Sequence, residues 1–360
     1  MYLCISVFVA QLVEQLTLNQ WVQGSSPCED TKVSQGDYAQ YQLLMSNKKE
    51  GLVLKSTGSS YLVRTKEKDV VVCKLRGNFR IKGIKNTNPI AVGDNVFFIK
   101  DDKSEQGFIT ELKERKNYIY RKSINLSKIT HIIAANIDCA FLVISIPEPR
   151  TPLGFIDRFL VAAESFRIPT KIIFNKTDLY TAKCKEIHTK LSKLYSEIGY
   201  ECIETSVVSK KGMDTVKEAM QDKISLFCGQ SGVGKSSIIN VLEKNLNLKI
   251  GTLSNYNNKG KHTTTFAEMF PLSFGGFIID TPGIKEFGLI QYEKEEVSHY
   301  FPEMLNLLSK CKFHNCTHTH EPECAVKQAL EAGKIAQSRY LNYLSIIHNE
   351  DILLKDWMLE

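Results

Sequence analysis

The order of two short motifs constrains this chain more than any other feature of it. Residues 172–180 read IIFNKTDLY, and the run from Phe227 reads FCGQSGVGKSS. The second run fits G-x-x-x-x-G-K-[ST]. It follows the short apolar segment ISLFC and leads into the amphipathic SSIINVLEK. A strand before and a helix after are what a phosphate-binding loop requires. Gly229, Gly232 and Gly234 let the backbone curl until its N–H groups point at phosphates. Gln230, Ser231, Val233 and Ser237 complete the expected cradle. Lys235 would bring positive charge to the β- and γ-phosphates, and the Ser236 hydroxyl is placed to ligate Mg²⁺.

A phosphate loop alone does not separate ATP from GTP. Asn175, Lys176, Thr177 and Asp178 do. Guanine offers N1–H and an exocyclic amine side by side, and the Asp178 carboxylate can accept both. Against adenine it would be left unpaired. Asn175 and Lys176 are expected to brace the base and the phosphate loop. The motif ends an apolar strand, where a switch-point crevice puts ligands. ETSVVSKKG, with Thr205 and Ser206, reads as the base-side loop. On its own N-K-x-D is a weak signal, because solvated loops of that composition are common. In IIDTPG, Asp280 ends a strand and is expected to hold Mg²⁺, and the Gly283 N–H to meet the γ-phosphate. KGKHTTTF supplies Thr263, Thr264 and Thr265, any of which could close over Mg²⁺, with Thr264 carried as the expected ligand. The same run also reads as the start of the next strand.

Five guanine-switch elements therefore occur in the order base, base-side loop, phosphate loop, switch I, switch II. A circular permutation keeps each element at its place in space while moving the chain ends. One site in permuted order accounts for all five. The surrounding residues alternate between strand and helix patterns: DCAFLVISI, PLGFIDRFLVAAESF, KIIFNK, TAKCKEIHTKLSKLYSEIG, YECIETS, SLFCG and GGFIID. That is the βαβ rhythm of a parallel sheet with helices on both faces. Ile284 stands where Ras-type switches keep the Gln that orients the attacking water. Intrinsic hydrolysis is then expected to be slow. His262 is the nearest substitute in sequence, and a surface histidine on a mobile loop is the other reading. The expected catalytic set is His262, Thr264, Lys235 and Gly283.

Before this region, GLVLKS, SYLVRT, DVVVCKL, DNVFFIK and GFITELK are short, rich in Val, Ile and Phe, and separated by turn residues. They suit a small OB-type barrel. RGNFRIKGIKNTNP lies among them, with Arg76, Arg80, Lys82 and Lys85 around Phe79. Basic residues interleaved with an aromatic suit a nucleic-acid face, and a solvated basic loop is the alternative. The net charge of +6 permits an RNA or phosphate partner without requiring one. No apolar run reaches bilayer length. Residues 1–44 read as a non-native or disordered extension. VAQLVEQ from Val9 and GSSP from Gly24 are what translation of a transfer-RNA gene yields, so Met45 is the expected start.

After the sheet region, CKFHNCTHTHEPEC holds Cys311, Cys316, His318 and Cys324 in the spacing C-x4-C-x-H-x5-C. Three thiolates and an imidazole make a closed tetrahedral set, which suits one structural Zn²⁺ and leaves no position for water. His314 and His320 are competing donors. The 10 cysteines of a 360-residue chain do not suggest a disulfide scaffold, and this cluster favours a reducing compartment. A long helical run from Ala325 to His348 closes the chain. Switch II leads almost directly into this segment, so γ-phosphate contacts at Gly283 are expected to reposition it. The expected division is 1–44 extension, 45–115 OB-fold RNA-binding domain, 116–295 circularly permuted P-loop GTPase domain of α/β class, and 296–360 helical zinc-binding domain.

KSTGS, FRIKG, NKTDL, GQSGVGKSS, HTTT, DTPGIKEFGL and the Cys/His segment with EPECAV occur in that order. With them the chain resembles the ribosome small-subunit-dependent GTPase A family, from about Gly51 to the C-terminal helix. The resemblance implies binding to the 30S ribosomal subunit and its 16S rRNA, near the decoding region. It also implies hydrolysis of GTP to GDP and phosphate, slow alone and faster on the subunit, in late 30S maturation in the bacterial cytoplasm. The family's GTP ligands map onto Asn175–Asp178 and Gly229–Ser237, and its zinc ligands onto Cys311, Cys316, His318 and Cys324. The family, too, has a non-polar residue at the Ile284 position. Residues 1–44 have no counterpart in it. A monomer without a membrane partner is expected. Two further readings are an RNA-binding switch with incidental hydrolysis and a permuted GTPase of the large subunit.

Overall fold

The computed structural model describes residues 48–75, 89–100, 105–122, 130–246, 267–280 and 292–348. Met45, Arg76, Arg80, Lys82, Lys85, His262, Thr263, Thr264, Thr265, Gly283 and Ile284 lie outside the described residues. The described residues fall into two compact units. The first takes the described residues of 1–53, 57–84 and 95–114, and the second those of 54–56, 85–94 and 115–360.

Five strands build the first unit: β1 (Lys48–Ser56, its last three residues counted with the second unit), β2 (Tyr61–Thr65), β3 (Val70–Leu75), β4 (Asn95–Lys100) and β5 (Gly107–Leu112). Hydrogen bonding runs β1-β2-β3-β5-β4, and β4 returns to β1 with Lys48 opposite Ile99. β3 and β5 are parallel, whereas β2–β3 and β4–β5 are antiparallel. The closed five-stranded barrel is OB-like. Strict alternation turns Val53, Tyr61, Val63, Val71, Cys73, Val96, Phe98 and Ile109 inward. Each fully buried Val, Ile or Phe contributes roughly 1.5–3 kcal/mol.

In the second unit a parallel sheet runs β10 (Glu201–Glu204), β9 (Thr170–Asn175), β8 (Cys139–Ser145), β11 (Ile224–Cys228) and β13 (Phe277–Asp280). Antiparallel β12 (Glu268–Pro271) lies beside β13. Every residue of β8 is buried, as a central strand covered on both faces must be. From β8 the chain builds outward to β9 and β10, then crosses back to β11 on β8's other side. The switch point therefore lies between β8 and β11, where ligands bind such sheets. Three elements had no clear signal in the sequence: β12 and the antiparallel pair β6 (Tyr118–Lys122) and β7 (Thr130–Ala135).

α1 spans Leu153–Ser165. α2 spans Ala182–Ile198, where Thr181 Oγ1 accepts from Cys184 N at 3.3 Å and Gly199 leaves the helix at φ 116°. α3 (Met213–Met220) and α4 (Lys235–Leu242) share a core with the sheet. Val216, Met220, Ile238 and Ile239 pack there with Phe141 and Phe227, whose rings stack at 5.0 Å.

The C-terminal segment belongs to the second unit. It consists of α5 (Pro302–Leu305), α6 (Ala325–Glu331) and α7 (Gln337–His348), with 3₁₀ turns at Val297–Tyr300 and Leu308–Lys310. The single helix expected over Ala325–His348 is two. Gly333 takes φ 68°, and Lys334 N donates to Ala329 O at 2.8 Å, so a glycine terminates α6 before α7 begins. Val161 of α1 shares a core with Phe301, Met304, Val326, Tyr343 and Ile347. Asp157, Glu303, Arg339 and Asn342 also meet between these helices. Among the described residues no helix is long and apolar enough to cross a membrane.

Candidate nucleotide site and metal centre

β11 delivers the chain into the glycine loop, and α4 begins at its far side with Lys235. Gly229, Gly232 and Gly234 take φ of 143°, 82° and 103°. At Gly234 no larger residue fits, since a Cβ there would lie 2.3 Å from Asn175 Nδ2. Lys235 and Ser236 are buried where the loop becomes helix. Lys235 Nζ donates to Gly229 O at 2.8 Å and to Gln230 O at 2.7 Å, so the ammonium rests across the loop's own carbonyls. Gln230, Ser231 and Val233 belong to the loop, with Ser231 exposed and Val233 buried, and Ser237 lies in the first turn of α4.

Asn175 ends β9 and is 2% exposed. Its Nδ2 donates to Val233 O at 2.8 Å across a separation of 58 residues, and its Oδ1 accepts from Thr205 Oγ1 at 2.9 Å. One amide thus joins the phosphate loop, the end of β9 and the loop after β10. Lys176 takes a left-handed φ of 63°, and its Nζ reaches Glu148 O at 2.8 Å. Thr177 donates to Thr205 O through both N and Oγ1, each at 3.1 Å. Asp178 is exposed, and its Oδ1 accepts from the buried Ser206 Oγ at 2.5 Å. Ser209 N donates to that same hydroxyl at 3.1 Å. Ser206 therefore orients a carboxylate that faces open space.

Behind this loop, His188 of α2 meets Phe174 edge-on at 4.8 Å, with Nε2 3.7 Å from Glu204 Oε1. Burial lowers the basicity of His188, against the pull of Glu204. Lys211 bonds Glu204 and lowers its carboxyl.

Asp280 ends β13, one residue beyond the Leu226–Ile279 pair with β11. Three residues beyond Leu226, β11 has given way to Gly229 of the phosphate loop. The expected switch residues Thr264 and Gly283, with His262, fall outside the described residues, as do the four basic residues of the barrel.

The ligand atoms of Cys311, Cys316, His318 and Cys324 lie within 4.8 Å of one another. His318 Nδ1 is 3.3 Å from Cys324 Sγ and 3.7 Å from Cys311 Sγ. Its Nε2 is buried and has no hydrogen-bond partner among the described residues, so the ring offers Nδ1 to the sulfurs. Burial pushes the Cys316 thiol up to about 12 and the Cys324 thiol upward as well, a cost that a bound cation would offset. Three sulfurs, one imidazole nitrogen and low exposure fit a closed tetrahedral zinc site. His314 and His320 are exposed and stand outside the cluster, with His320 Nδ1 2.9 Å from Thr319 Oγ1. Sequence reasoning missed Glu321, which accepts from Thr317 and Thr319. A carboxylate three residues after a metal-ligating histidine is the signal it left.

Profiles of the RsgA GTPase and of the RsgA N-terminal domain match residues 112–290 and 50–109. The small ribosomal subunit biogenesis GTPase RsgA of Bacteroides fragilis (strain YCH46) is 49% identical over 302 residues, covering 84% of this chain and 97% of the relative. Its counterpart in Flavobacterium johnsoniae is 51% identical over 303 residues, covering 84% and 93%. Among solved structures, YjeQ from Thermotoga maritima is similar with a TM-score of 0.69 at 34% identity, over 86% of this chain and all of that one. YloQ, a circularly permuted GTPase, is similar with a TM-score of 0.67 at 31% identity, over 84% and 94%. With the permuted sheet inside 112–290, the barrel strands matched over 50–109, and relatives about half identical over 84% of its length, the chain belongs to the RsgA GTPase family.

Proposed function

We propose that this chain is a GTPase of small ribosomal subunit assembly, working on the 30S subunit and hydrolysing GTP to GDP and phosphate faster there than alone. The observation that carries the reading is Asn175, whose one side chain hydrogen-bonds the phosphate loop at Val233 and the base-side loop at Thr205. Two motifs out of the usual order thereby form one site. In it Asn175, Lys176, Thr177, Asp178 and Ser206 bind the guanine end, with Asp178 pre-set by Ser206 to accept from N1–H and the exocyclic amine. Gly229–Ser237 bind the phosphates, and Lys235 exchanges its loop carbonyls for phosphate oxygens. Ser236, Asp280 and Thr264 would hold Mg²⁺, which neutralises charge building on the phosphates. Gly283 and His262 are proposed for the γ-phosphate and the attacking water. Cys311, Cys316, His318 and Cys324 hold one structural Zn²⁺. The barrel, through Arg76, Arg80, Lys82 and Lys85, contacts 16S rRNA, with the protein acting as a cytoplasmic monomer.

GTP turnover measured with purified 30S or 50S subunits tests the reading. Stimulation by 30S alone is the expected result. Stimulation by 50S, or by neither, would reject it.

A further inference from the structure

Between Cys316 and Cys324 the chain reads CTHTHEPEC. Glu321 folds back into this turn. Its Oε1 accepts from Thr317 N at 2.8 Å and from Thr317 Oγ1 at 2.7 Å, and its Oε2 accepts from Thr319 N at 3.0 Å. The two amides flank His318, which takes a φ of 56°, a left-handed conformation uncommon outside glycine. From the opposite side, the α7 hydroxyls of Tyr343 and Tyr340 donate to Thr317 O at 2.6 Å and to His318 O at 2.7 Å. The residues on either side of His318 are thus held at their N–H groups by one carboxylate, and the two peptide units that flank it are held at their carbonyls by two phenols. Nothing among the described residues holds the imidazole at Nε2. The aim of Nδ1 at the sulfurs is therefore set through the backbone.

We propose that Glu321 is the positioning residue of the metal centre: by splinting the Thr317 and Thr319 amides it aims His318 Nδ1 at the three cysteine sulfurs, and zinc retention depends on it. The proposal rests on the zinc reading above. It is specific to this carboxylate, because Glu323, two residues on, instead pairs with Lys312 at the surface at 2.5 Å.

The test uses full-length, zinc-loaded protein and its E321Q and E323Q variants. Zinc loss is followed against increasing EDTA with a chromogenic indicator. Each protein is also reloaded with Co²⁺, and its thiolate charge-transfer and d–d bands are recorded. E321Q should release zinc about 10–100-fold more readily, the usual effect of losing a partner behind a ligand, and should shift the cobalt d–d bands. E323Q should match the parent, and GTP affinity should be the same in all three. Parent-like EDTA resistance and an unchanged cobalt spectrum in E321Q would overturn the proposal while leaving the zinc reading intact. A parent protein that retains no zinc would overturn both. If E321Q yields no folded protein, T317V decides, since it deletes one donor to the carboxylate and keeps the carboxylate itself. A smaller but measurable loss of zinc retention supports the proposal, and none overturns it.

Discussion

Arg339 of α7 donates through Nη1 to Asp157 Oδ1 of α1 at 2.7 Å, and each side chain is 1% exposed. Tyr195 OH donates to the same oxygen at 2.9 Å, and Asn342 Nδ2 to Asp157 Oδ2 at 2.5 Å. The guanidinium also reaches Glu303 through Nε at 2.7 Å and Nη2 at 3.1 Å, and it lies over the Phe301 ring at 4.5 Å. Such a network adds little net stability, because both charges give up water, but breaking it strands a buried charge. It also bears on the expected movement of the C-terminal segment: any movement of α7 in response to nucleotide carries α1 with it.

R339M should destabilise the protein by about 3–5 kcal/mol, the typical result of removing one partner of a buried pair. Urea unfolding of parent and variant measures it. A loss below about 1 kcal/mol would place the pair with surface ion pairs and remove the argument for joint movement.

N175A leaves Val233 O and Thr205 Oγ1 without the bonds that join the two loops. Unpaired buried groups cost about 1–3 kcal/mol each, so GTP and GDP affinity should fall at least about tenfold. Fluorescent-nucleotide titration reads this directly. G234A should do the same by a different route, with its new Cβ displacing the Asn175 amide and φ 103° straining the loop. Parent-like nucleotide binding in both variants would dissolve the single-site reading.

His188 makes stability depend on pH. Burial holds its basicity below the ordinary 6.5, so the unfolded chain takes the proton more readily. Its contribution to stability is present above pH 6.5 and is lost as pH falls through the lower folded value. The groups facing it are Glu204, which opposes the shift, and Lys211, which adds to it. Urea midpoints at pH 8, 7, 6 and 5 should fall more steeply for the parent than for H188Q. Identical slopes would refute the assignment.

Cys316 and Cys324 are at once expected ligands and members of the core that includes Phe301, Val326 and Tyr343. Stripping the metal with a chelator should therefore loosen that core first. Hydrogen exchange should rise across 311–331 while β8 and β9 keep their protection. A uniform rise through the central sheet, or none at all, would contradict a local structural role.

Much of this architecture was legible in the sequence, because its strands and helices carry strong periodic signals. The Val- and Phe-rich runs VVVCKL and NVFFIK between turn residues, the unbroken apolar run of β8, and the helical spacing of TAKCKEIHTKLSKLYSEIG all lead to the elements observed. β12 was not legible, because EMFP has four residues and becomes a strand only by pairing with β13. The break at Gly333 was legible in principle, since a glycine inside a helical pattern is a stop candidate. Within the site, residue types fixed the nucleotide and metal readings. What sequence could not supply was pairing over distance: Asn175 with Val233, Asp157 with Arg339, and Glu321 folded back on Thr317. Asp157 did leave a trace, as a lone acid in the apolar stretch GFIDRFLVAA.

The Asp157–Arg339 contact spans 182 residues of chain. Asp157 leaves the ribosome early in synthesis of the sheet, whereas Arg339 emerges only with α7. Until then Asp157 lacks the Arg339 and Asn342 donors that it has in the folded protein. A chain that stops before α7 therefore leaves one helix of the central sheet without two of the donors that seat its buried acid.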